Sequence, residues 1–229
     1  MRIARPHPRA RRLLAALLLS ALLALPAIAA AGADRVEKAT ADARIDRLND
    51  LVVRAIPLGI IFDDLARQDP KWPMQAKPEA VNAKQLRCLR RELSDDGYRK
   101  AKREDVVAYA GRHPSVIDQD IRVLDEGAAM MMGKLMMAGV EQERTGIEVD
   151  QNALMSEAEP EQLAAFMSFM TSPDHAALRG LAGIGNAFDS QRSAEENENA
   201  GEAAGADLAT RMILRAMGRC DVPSSVLFD

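Results

Sequence analysis

A repeat of apolar residues, spaced alternately by four and three, runs through the middle of the chain. Its members are Ile117, Ile121, Leu124, Ala128, Met131, Leu135 and Ala138. Residues at these spacings lie along one side of an α-helix and form a seam that packs against another helix. Ser115 and Asp118 have the spacing of a helix N-cap and its third residue. The pattern therefore predicts a long, continuous helix in a helical fold.

The composition favours helices elsewhere in the chain as well. Aromatic residues make up only 3% of the sequence, and residues that favour helices, such as Ala, Leu, Met and Glu, dominate it. No segment alternates apolar and polar residues like a half-buried strand. Ser94 followed by Asp95 and Asp96 is typical of a helix start. We predict an all-α bundle of six or seven helices with a C-terminal helical hairpin.

The first 33 residues have the order of a secretory signal peptide. Arginines dominate the start, Leu, Ala and one Ser fill residues 13–25, and small residues follow Pro26. The apolar run is shorter than the roughly twenty residues that a membrane span needs. Cleavage is predicted after Ala33, with Ala29 as the alternative site. An uncleaved membrane anchor is the competing interpretation. After cleavage, no stable membrane insertion is expected.

Residues 34–229 are predicted to form a single helical domain with a possible subdivision near 141–156. Without the five arginines of segment 1–33, this part has 25 basic and 34 acidic side chains, a formal charge of −9. Such an acidic balance argues against nucleic acid and anionic lipid surfaces as partners. The predicted location is the periplasm, or the medium if the protein is fully secreted.

Cys88 and Cys220 are the two cysteines of the chain. In an oxidising compartment, an even number of cysteines usually indicates disulfides. We therefore predict a bridge between them, which would tie a helix in the first half of the chain to the end of the last helix. Two buried, reduced thiols are the alternative interpretation.

Methionines crowd the second half of the predicted central helix: Met130, Met131, Met132, Met136 and Met137. At 100° per residue, Met130 and Met137 project roughly opposite the apolar seam. A helix that is apolar on two sides is either sandwiched within its own fold or exposes a face to a partner. Methionine suits both situations, since it fills irregular gaps in cores and lines adaptable binding grooves.

The predicted surface for a protein partner or apolar ligand consists of Met130, Met137, Phe166 and Met170. Thioethers also suit Cu(I), so a periplasmic copper-binding protein that uses the run from 130 to 137 is the alternative hypothesis. In that hypothesis Met132 and Met136, which share one side of the helix, are the candidate ligands. No cofactor is predicted.

Catalytic motifs are missing from the sequence. His113 and His175 have no partner at metal-ligand spacing, and His175 is interpreted as part of a solvated helix start. Asp118 is interpreted as a helix cap, and the other nearby carboxylates, Asp120, Asp125 and Glu126, as a polar helix face. There is no nucleophile elbow, phosphate loop or zinc motif. We predict a non-catalytic protein, with an enzyme whose site is assembled from distant residues as the competing class.

Residues 156–173 resemble a known family. Their sequence is SEAEPEQLAAFMSFMTSP, an acidic helix start followed by Leu, two Phe and a closing Ser-Pro. This pattern resembles the C-terminal hairpin of exported bacterial proteins known only as domain of unknown function twenty fifty-nine. The resemblance extends from Glu157 to Leu181 and implies a helical fold and an envelope location. It implies no activity and no catalytic residue.

These features together predict an exported, non-catalytic binding or interaction protein of the bacterial cell envelope. Three structural observations would distinguish the competing hypotheses. An exposed apolar groove would favour binding, three sulfur atoms around one point would favour copper, and a polar pocket with a buried carboxylate or histidine would favour an enzyme.

Overall fold

The computed structural model describes residues 25–185 and 187–227, and within these ranges the chain forms helices and no strand. The α-helices are α1 Leu25–Ala55, α2 Leu58–Gln68, α3 Ala83–Leu93, α4 Asp95–Arg112, α5 Ile117–Val123, α6 Ala129–Thr145, α7 Gln151–Ser156, α8 Pro160–Thr171, α9 Ala176–Ala182 and α10 Ala194–Arg219. Short 3₁₀ helices cover Pro78–Ala80, Pro173–His175 and Ser224–Leu227. The predicted all-α class is confirmed, but the described residues form more α-helices than the six or seven predicted. Most of the predicted signal peptide, residues 1–24, lies outside the described residues.

The chain divides into two compact units between Ala43 and Arg44, within α1. The unit that starts at Arg44 contains the hydrophobic core. Its most deeply buried side chains come from several helices and include Leu48, Leu51, Leu93, Tyr98, Phe169 and Leu178. Because Tyr98, Ala101 and Val106 are all buried in this core, α4 has a fixed orientation.

The predicted central helix is interrupted. A wider, π-helical turn, Leu124–Ala128, joins α5 to α6, and Gly127 within it has φ +139°. Residues other than glycine rarely adopt this conformation. A Cβ atom on Gly127 would lie 2.7 Å from the Cα atom of Gln162, so α8 crosses here at a distance that only glycine allows. The prediction of one continuous helix is wrong, because the close crossing bends the chain.

The predicted helix cap at Ser115 and Asp118 is also wrong. α5 begins at Ile117, and Asp118 accepts two hydrogen bonds from the guanidinium of Arg44, at 2.7 and 2.6 Å. A bidentate, charge-assisted contact of this kind is stronger than a single capping hydrogen bond. Asp118 therefore joins α5 to α1 and does not cap its own helix.

Cys88 of α3 and Cys220, just after α10, lie at disulfide distance, with their sulfur atoms 2.03 Å apart. This confirms the predicted pairing at the level of geometry. Ion pairs hold the same two regions together, since Arg219 contacts Glu92 at 3.2 Å and Glu104 at 2.6 Å. The C-terminal end of α10 is thereby attached to both α3 and α4.

Ser193 begins α10 with a capping box. Its hydroxyl accepts a hydrogen bond from the backbone N–H of Glu196, and the Glu196 carboxylate accepts one from the N–H of Ser193. These bonds satisfy donors that a helix start otherwise leaves unpaired. The acidic, Gly- and Ala-rich segment between residues 195 and 205 is therefore helical in spite of its composition.

Candidate ligand-binding cleft

An open cleft of about 1290 Å³ lies between α4 and α10, with α9 and the turn after it on a third side. Much of its lining is apolar, including Ala108, Leu181, Ile184, Ala204, Leu208 and Met212. Charged side chains of α4 and α10 stand among these residues. Ligand sites commonly combine extensive apolar surface with a few polar groups in this way.

Lys102 of α4 brings a buried ammonium group to this cleft. The residue is only 4% exposed, and its Nζ donates a hydrogen bond to the carbonyl oxygen of Leu181 at 2.9 Å. A carboxylate oxygen of Asp105 lies 3.6 Å from the same nitrogen. Burial lowers the pKa of Lys102 because it disfavours the charged form, and Asp105 opposes this effect. An ammonium group has three donors, so Lys102 retains capacity for a ligand.

Positive charge predominates along the described part of the cleft. Its basic residues are Lys102, Arg112, Arg192, Arg211 and Arg215, and its acidic residues are Asp105 and Asp207. Arg211 pairs with Asp207 on the same helix, and Arg215 pairs with Asp105 at 3.0 Å. The lining has five basic and two acidic side chains, and Glu104 beside it contacts Arg215 at 2.6 Å. The remaining positive excess is opposite in sign to the charge of residues 34–229 as a whole. Such a local excess attracts anions.

A buried polar cluster adjoins the cleft through Tyr109. The Tyr109 hydroxyl donates a hydrogen bond of 2.6 Å to Asp120, which is only 1% exposed. His175 is also buried, and its Nδ1 lies 3.7 Å from Asp120 Oδ1, too far for a direct hydrogen bond. Burial raises the pKa of Asp120, while the hydrogen bond from Tyr109 and the nearby His175 oppose the rise. The ring of His113, which also lines the cleft, packs on Tyr109 with centroids 4.7 Å apart.

This cluster corrects two interpretations made from the sequence. Asp120 does not belong to a solvated helix face, and His175 does not belong to a solvated helix start, because both side chains are buried. One signal in the sequence indicates the first correction. Asp120 comes three residues after Ile117 and four before Leu124, which places it on the apolar side of the helix.

A second cavity, about 820 Å³, is an open groove between α2, α6 and α10. Its apolar side chains are Ile61, Leu65, Leu135, Met136 and Val140. Its charged side chains are Asp64, Glu143, Arg144, Glu198 and Glu202. Gly139, Gly201 and Gly205 contribute only backbone to its walls. The groove is thus an apolar channel whose described charged groups are mainly acidic.

The residues predicted to form a partner surface do not share one cavity. Met137 is 40% exposed, Met130 and Met170 are partly buried against the core, and Phe166 is buried. None of these four lines the cleft or the groove. The helix face that carries Met137 is therefore accessible, while the other three residues contribute mainly to packing.

The two candidate copper ligands also lie in different surroundings. Met132 is buried in the core, whereas Met136 lines the groove. Among the described residues, no group of three or more His, Cys, Asp or Glu side chains could hold a metal ion. Copper binding by the methionine run stays a prediction.

Comparison with known protein families, with curated proteins and with solved structures finds no match to this chain. The resemblance of residues 157–181 to domain of unknown function twenty fifty-nine therefore stays a prediction. Among the described helices, none is both long and apolar enough to cross a membrane.

Proposed function

We propose that this protein is an exported, non-catalytic binding protein of the bacterial cell envelope, and that its ligand has an apolar body and an acidic group. The observation that carries the proposal is the cleft between α4 and α10, where the buried ammonium of Lys102 stands beside apolar walls. Burying a cation costs free energy through lost hydration, which Asp105 offsets in part, and a bound anion would offset it further.

The apolar walls of the cleft account for the apolar body of the proposed ligand. Ile184 is partly exposed and offers surface to a hydrocarbon chain, while the buried side chains of Leu181, Leu208 and Met212 border the cleft with their edges. Each 100 Å² of apolar surface removed from water contributes roughly 2.5 kcal/mol before the costs of association. A hydrocarbon chain with a terminal acidic group therefore satisfies both the walls and the excess positive charge.

Binding is favoured over catalysis because polar groups of the cleft already have partners within the fold. The hydroxyl of Tyr109 donates to Asp120, and the guanidinium of Arg215 contacts both Asp105 and Glu104. The buried Asp120 and His175 do not belong to the described lining of the cleft. An acid–base pair would have to reach the substrate itself.

Export is supported by two independent features. The first 33 residues have the order of a signal peptide. Cys88 and Cys220 lie at disulfide distance, and disulfides persist mainly in oxidising compartments such as the periplasm. The proposal places the protein in the periplasm or in the medium.

The ligand class is tested by calorimetric titration of the mature protein with three probes of equal chain length: dodecanoate, dodecyl phosphate and dodecanol. We expect the acidic probes to bind at least tenfold more tightly than the alcohol, a difference of about 1.4 kcal/mol, since only they neutralise the cleft. A preference for the carboxylate would indicate a free fatty acid as the ligand, and a preference for the phosphate a phospholipid-like head group. Equal affinity for all three would refute the proposed ligand.

The site is tested with two tryptophan variants of α10. Ala203 lines the cleft, whereas Ala206 is exposed on the same helix outside both cavities. Ala203→Trp should weaken binding of dodecanoate by obstructing part of the cleft, and Ala206→Trp should bind like the wild type. Equal behaviour of the two variants would contradict the assignment of the cleft.

The role of charge is tested with Lys102→Met and Arg211→Gln. Each should weaken dodecanoate binding by about tenfold, since a hydrogen bond to a charged group contributes about 1.5–3 kcal/mol. Because Lys102 is buried, its replacement also affects folding, and a thermal melt must accompany the titration. Arg211 is exposed and pairs with Asp207 on its own helix, so Arg211→Gln keeps the test valid if Lys102→Met unfolds. Unchanged affinity in Arg211→Gln, or in a folded Lys102→Met, would exclude an acidic group at this position.

A further inference from the structure

The groove between α2, α6 and α10 has a different character from the cleft. Its apolar side chains come from two helices, Ile61 and Leu65 on α2 and Leu135, Met136 and Val140 on α6. Leu65 is 38% exposed, and the other four apolar side chains are partly buried beside it in the same groove. The apolar surface is thus continuous across two helices and accessible from outside.

The third wall, α10, leaves room above this surface. Gly201 and Gly205 face the groove one turn apart, and a Cβ atom at either position would have no neighbour within 4 Å. Glycine inside a helix costs about 1 kcal/mol relative to alanine. No close packing among the described residues accounts for this cost at the two positions, nor at the helical glycines Gly111, Gly180 and Gly218, but Gly201 and Gly205 differ from those in facing the groove. Space for another backbone would account for it.

The charge of the groove indicates what enters. Four carboxylates line it, from Asp64, Glu143, Glu198 and Glu202. Asp64 pairs with Arg67 of its own helix at 3.1 Å, so the three glutamates carry most of the negative charge. Arg144 is the one basic side chain among its described lining residues, and it is held by two hydrogen bonds to Glu141 on its own helix. The groove therefore presents an apolar strip flanked by negative charge.

We propose that this groove binds an amphipathic helix of a partner protein whose apolar stripe is flanked by Lys or Arg. Amphipathic helices bind grooves of this kind by placing apolar side chains at helical spacings into them. Met136 has an adaptable side chain that suits such contacts. The basic flanks of the partner helix would complement the four carboxylates and set the specificity of the interaction.

The charges also decide against two other occupants. A fatty acid or another anionic amphiphile would bring its charge close to the four carboxylates, which disfavours it. A second copy of the chain would carry the same formal charge of −9 over residues 34–229, so association at this acidic rim would meet repulsion. Charge complementarity favours the basic helix.

The experiment uses two labelled synthetic peptides of about four helical turns, both with leucines on one face. One has lysines on its flanks, and its twin has glutamates at the same positions. Fluorescence anisotropy with the mature protein at low salt should give at least tenfold tighter binding of the lysine peptide. Added salt should reduce this difference, because it screens the charges at the rim. Equal affinity for the two peptides, or no binding of either, would overturn the proposal.

Glycine variants locate the binding. Gly201→Leu and Gly205→Leu fill the groove and should each weaken lysine-peptide binding at least fivefold. Gly218 is an exposed glycine on the same helix outside both cavities, with no atom near its Cβ position, so Gly218→Leu is the matched control. All three changes favour helix formation, so the variants are expected to fold. Equal peptide affinity in the three variants would place the peptide elsewhere.

The groove is a different site from the cleft, so the peptide experiment can refute the groove without refuting the cleft, and the dodecanoate experiment can refute the cleft without refuting the groove. Ala203→Trp, which obstructs part of the cleft, should leave peptide affinity unchanged. Gly205→Leu should leave dodecanoate affinity unchanged. If dodecanoate displaces the peptide, or if the protein forms a dimer that peptides cannot enter, the groove is not a helix-binding site.

Discussion

Opening the bridge between Cys88 and Cys220 should lower the stability of this protein more than most single changes. The two cysteines are separated by 132 residues, so the bridge closes most of the described chain into one loop. Such a loop restricts the unfolded chain much more than it restricts the folded one. The perturbation is the double variant Cys88→Ser with Cys220→Ser, compared with wild type before and after reduction.

The magnitude follows from the length of the loop. In the chain-entropy treatment, a loop of this size contributes about 5 kcal/mol to the free energy of unfolding. Two contacts hold the regions around the cysteines together without the bridge. Gln85 donates a hydrogen bond to the carbonyl oxygen of Asp221, and Arg219 pairs with Glu104. The stability should therefore fall because the unfolded chain gains conformational freedom, while the native fold changes little. For a domain of this size it corresponds to a decrease in Tm of about 10–20 °C.

Urea unfolding followed by circular dichroism measures the difference in free energy, and a thermal melt measures the decrease in Tm. Reductant should lower the stability of wild type to that of the double variant and should leave the variant unchanged. The slope of the free energy against urea should be steeper without the bridge, because the unfolded chain then exposes more surface. A loss below about 1 kcal/mol would refute the argument from loop entropy.

Two further predictions concern the interior of the fold. Gly127→Ala should destabilise the protein by about 2 kcal/mol or more, because a Cβ atom there meets α8 at Gln162 and the positive φ disfavours alanine. The control is Gly139→Ala, at an open position in a helix, which should stabilise the protein by about 0.5–1 kcal/mol. Urea unfolding compares the two, and similar effects would contradict the close crossing. Asp120→Asn removes a carboxyl whose pKa is raised by burial. Because the pKa is raised, Asp120 holds its proton to higher pH in the folded protein than in the unfolded chain. The free energy of unfolding of the wild type should therefore fall as pH rises from the ordinary pKa of 3.8 through the raised value, and the variant should lack this fall. Parallel pH profiles of wild type and variant would show that Asp120 titrates normally.

The helical class and the cysteine pairing could be predicted because they depend on local or countable features. Helical periodicity is a property of a single segment, and it places Met131 on the buried side of its helix, as the structure shows. Two cysteines in an exported chain leave one intramolecular pairing. The cap at Ser94 follows the same logic, since its hydroxyl accepts from the N–H of Gly97 three residues later.

The cleft could not be predicted, because its chemistry depends on which side chains other helices approach. Lys102 belongs to the segment Arg99-Lys100-Ala101-Lys102-Arg103, in which four of five residues are basic. Its spacing, four residues after Tyr98 and four before Val106, places it on the buried face of α4. The spacing does not identify Leu181, the residue on another helix whose carbonyl oxygen accepts the hydrogen bond from its ammonium group. Position within one helix predicts the direction of a side chain, but it does not predict the partner.

The same limit explains the bend at Gly127 and the cluster around Asp120. In both cases the decisive contact comes from another helix, α8 for the glycine and, through Tyr109, α4 for the carboxylate. A glycine in an otherwise regular apolar repeat is compatible with either a straight or a bent helix. The apolar seam therefore predicts the buried side of the helix next to Gly127, at Leu124 and Met131, but does not predict the bend.

The N-terminal half of α10 connects the two proposed sites. Its residues alternate between them at helical spacing, with Ala200, Ala203 and Ala204 on the cleft and Gly201 and Gly205 on the groove. The buried side chains of the helix begin only with Leu208, so this half contributes little to the core. Its small residues are therefore not explained by packing within the described fold. They are explained if this half-helix is a thin wall that leaves space for a ligand on one side and a partner helix on the other.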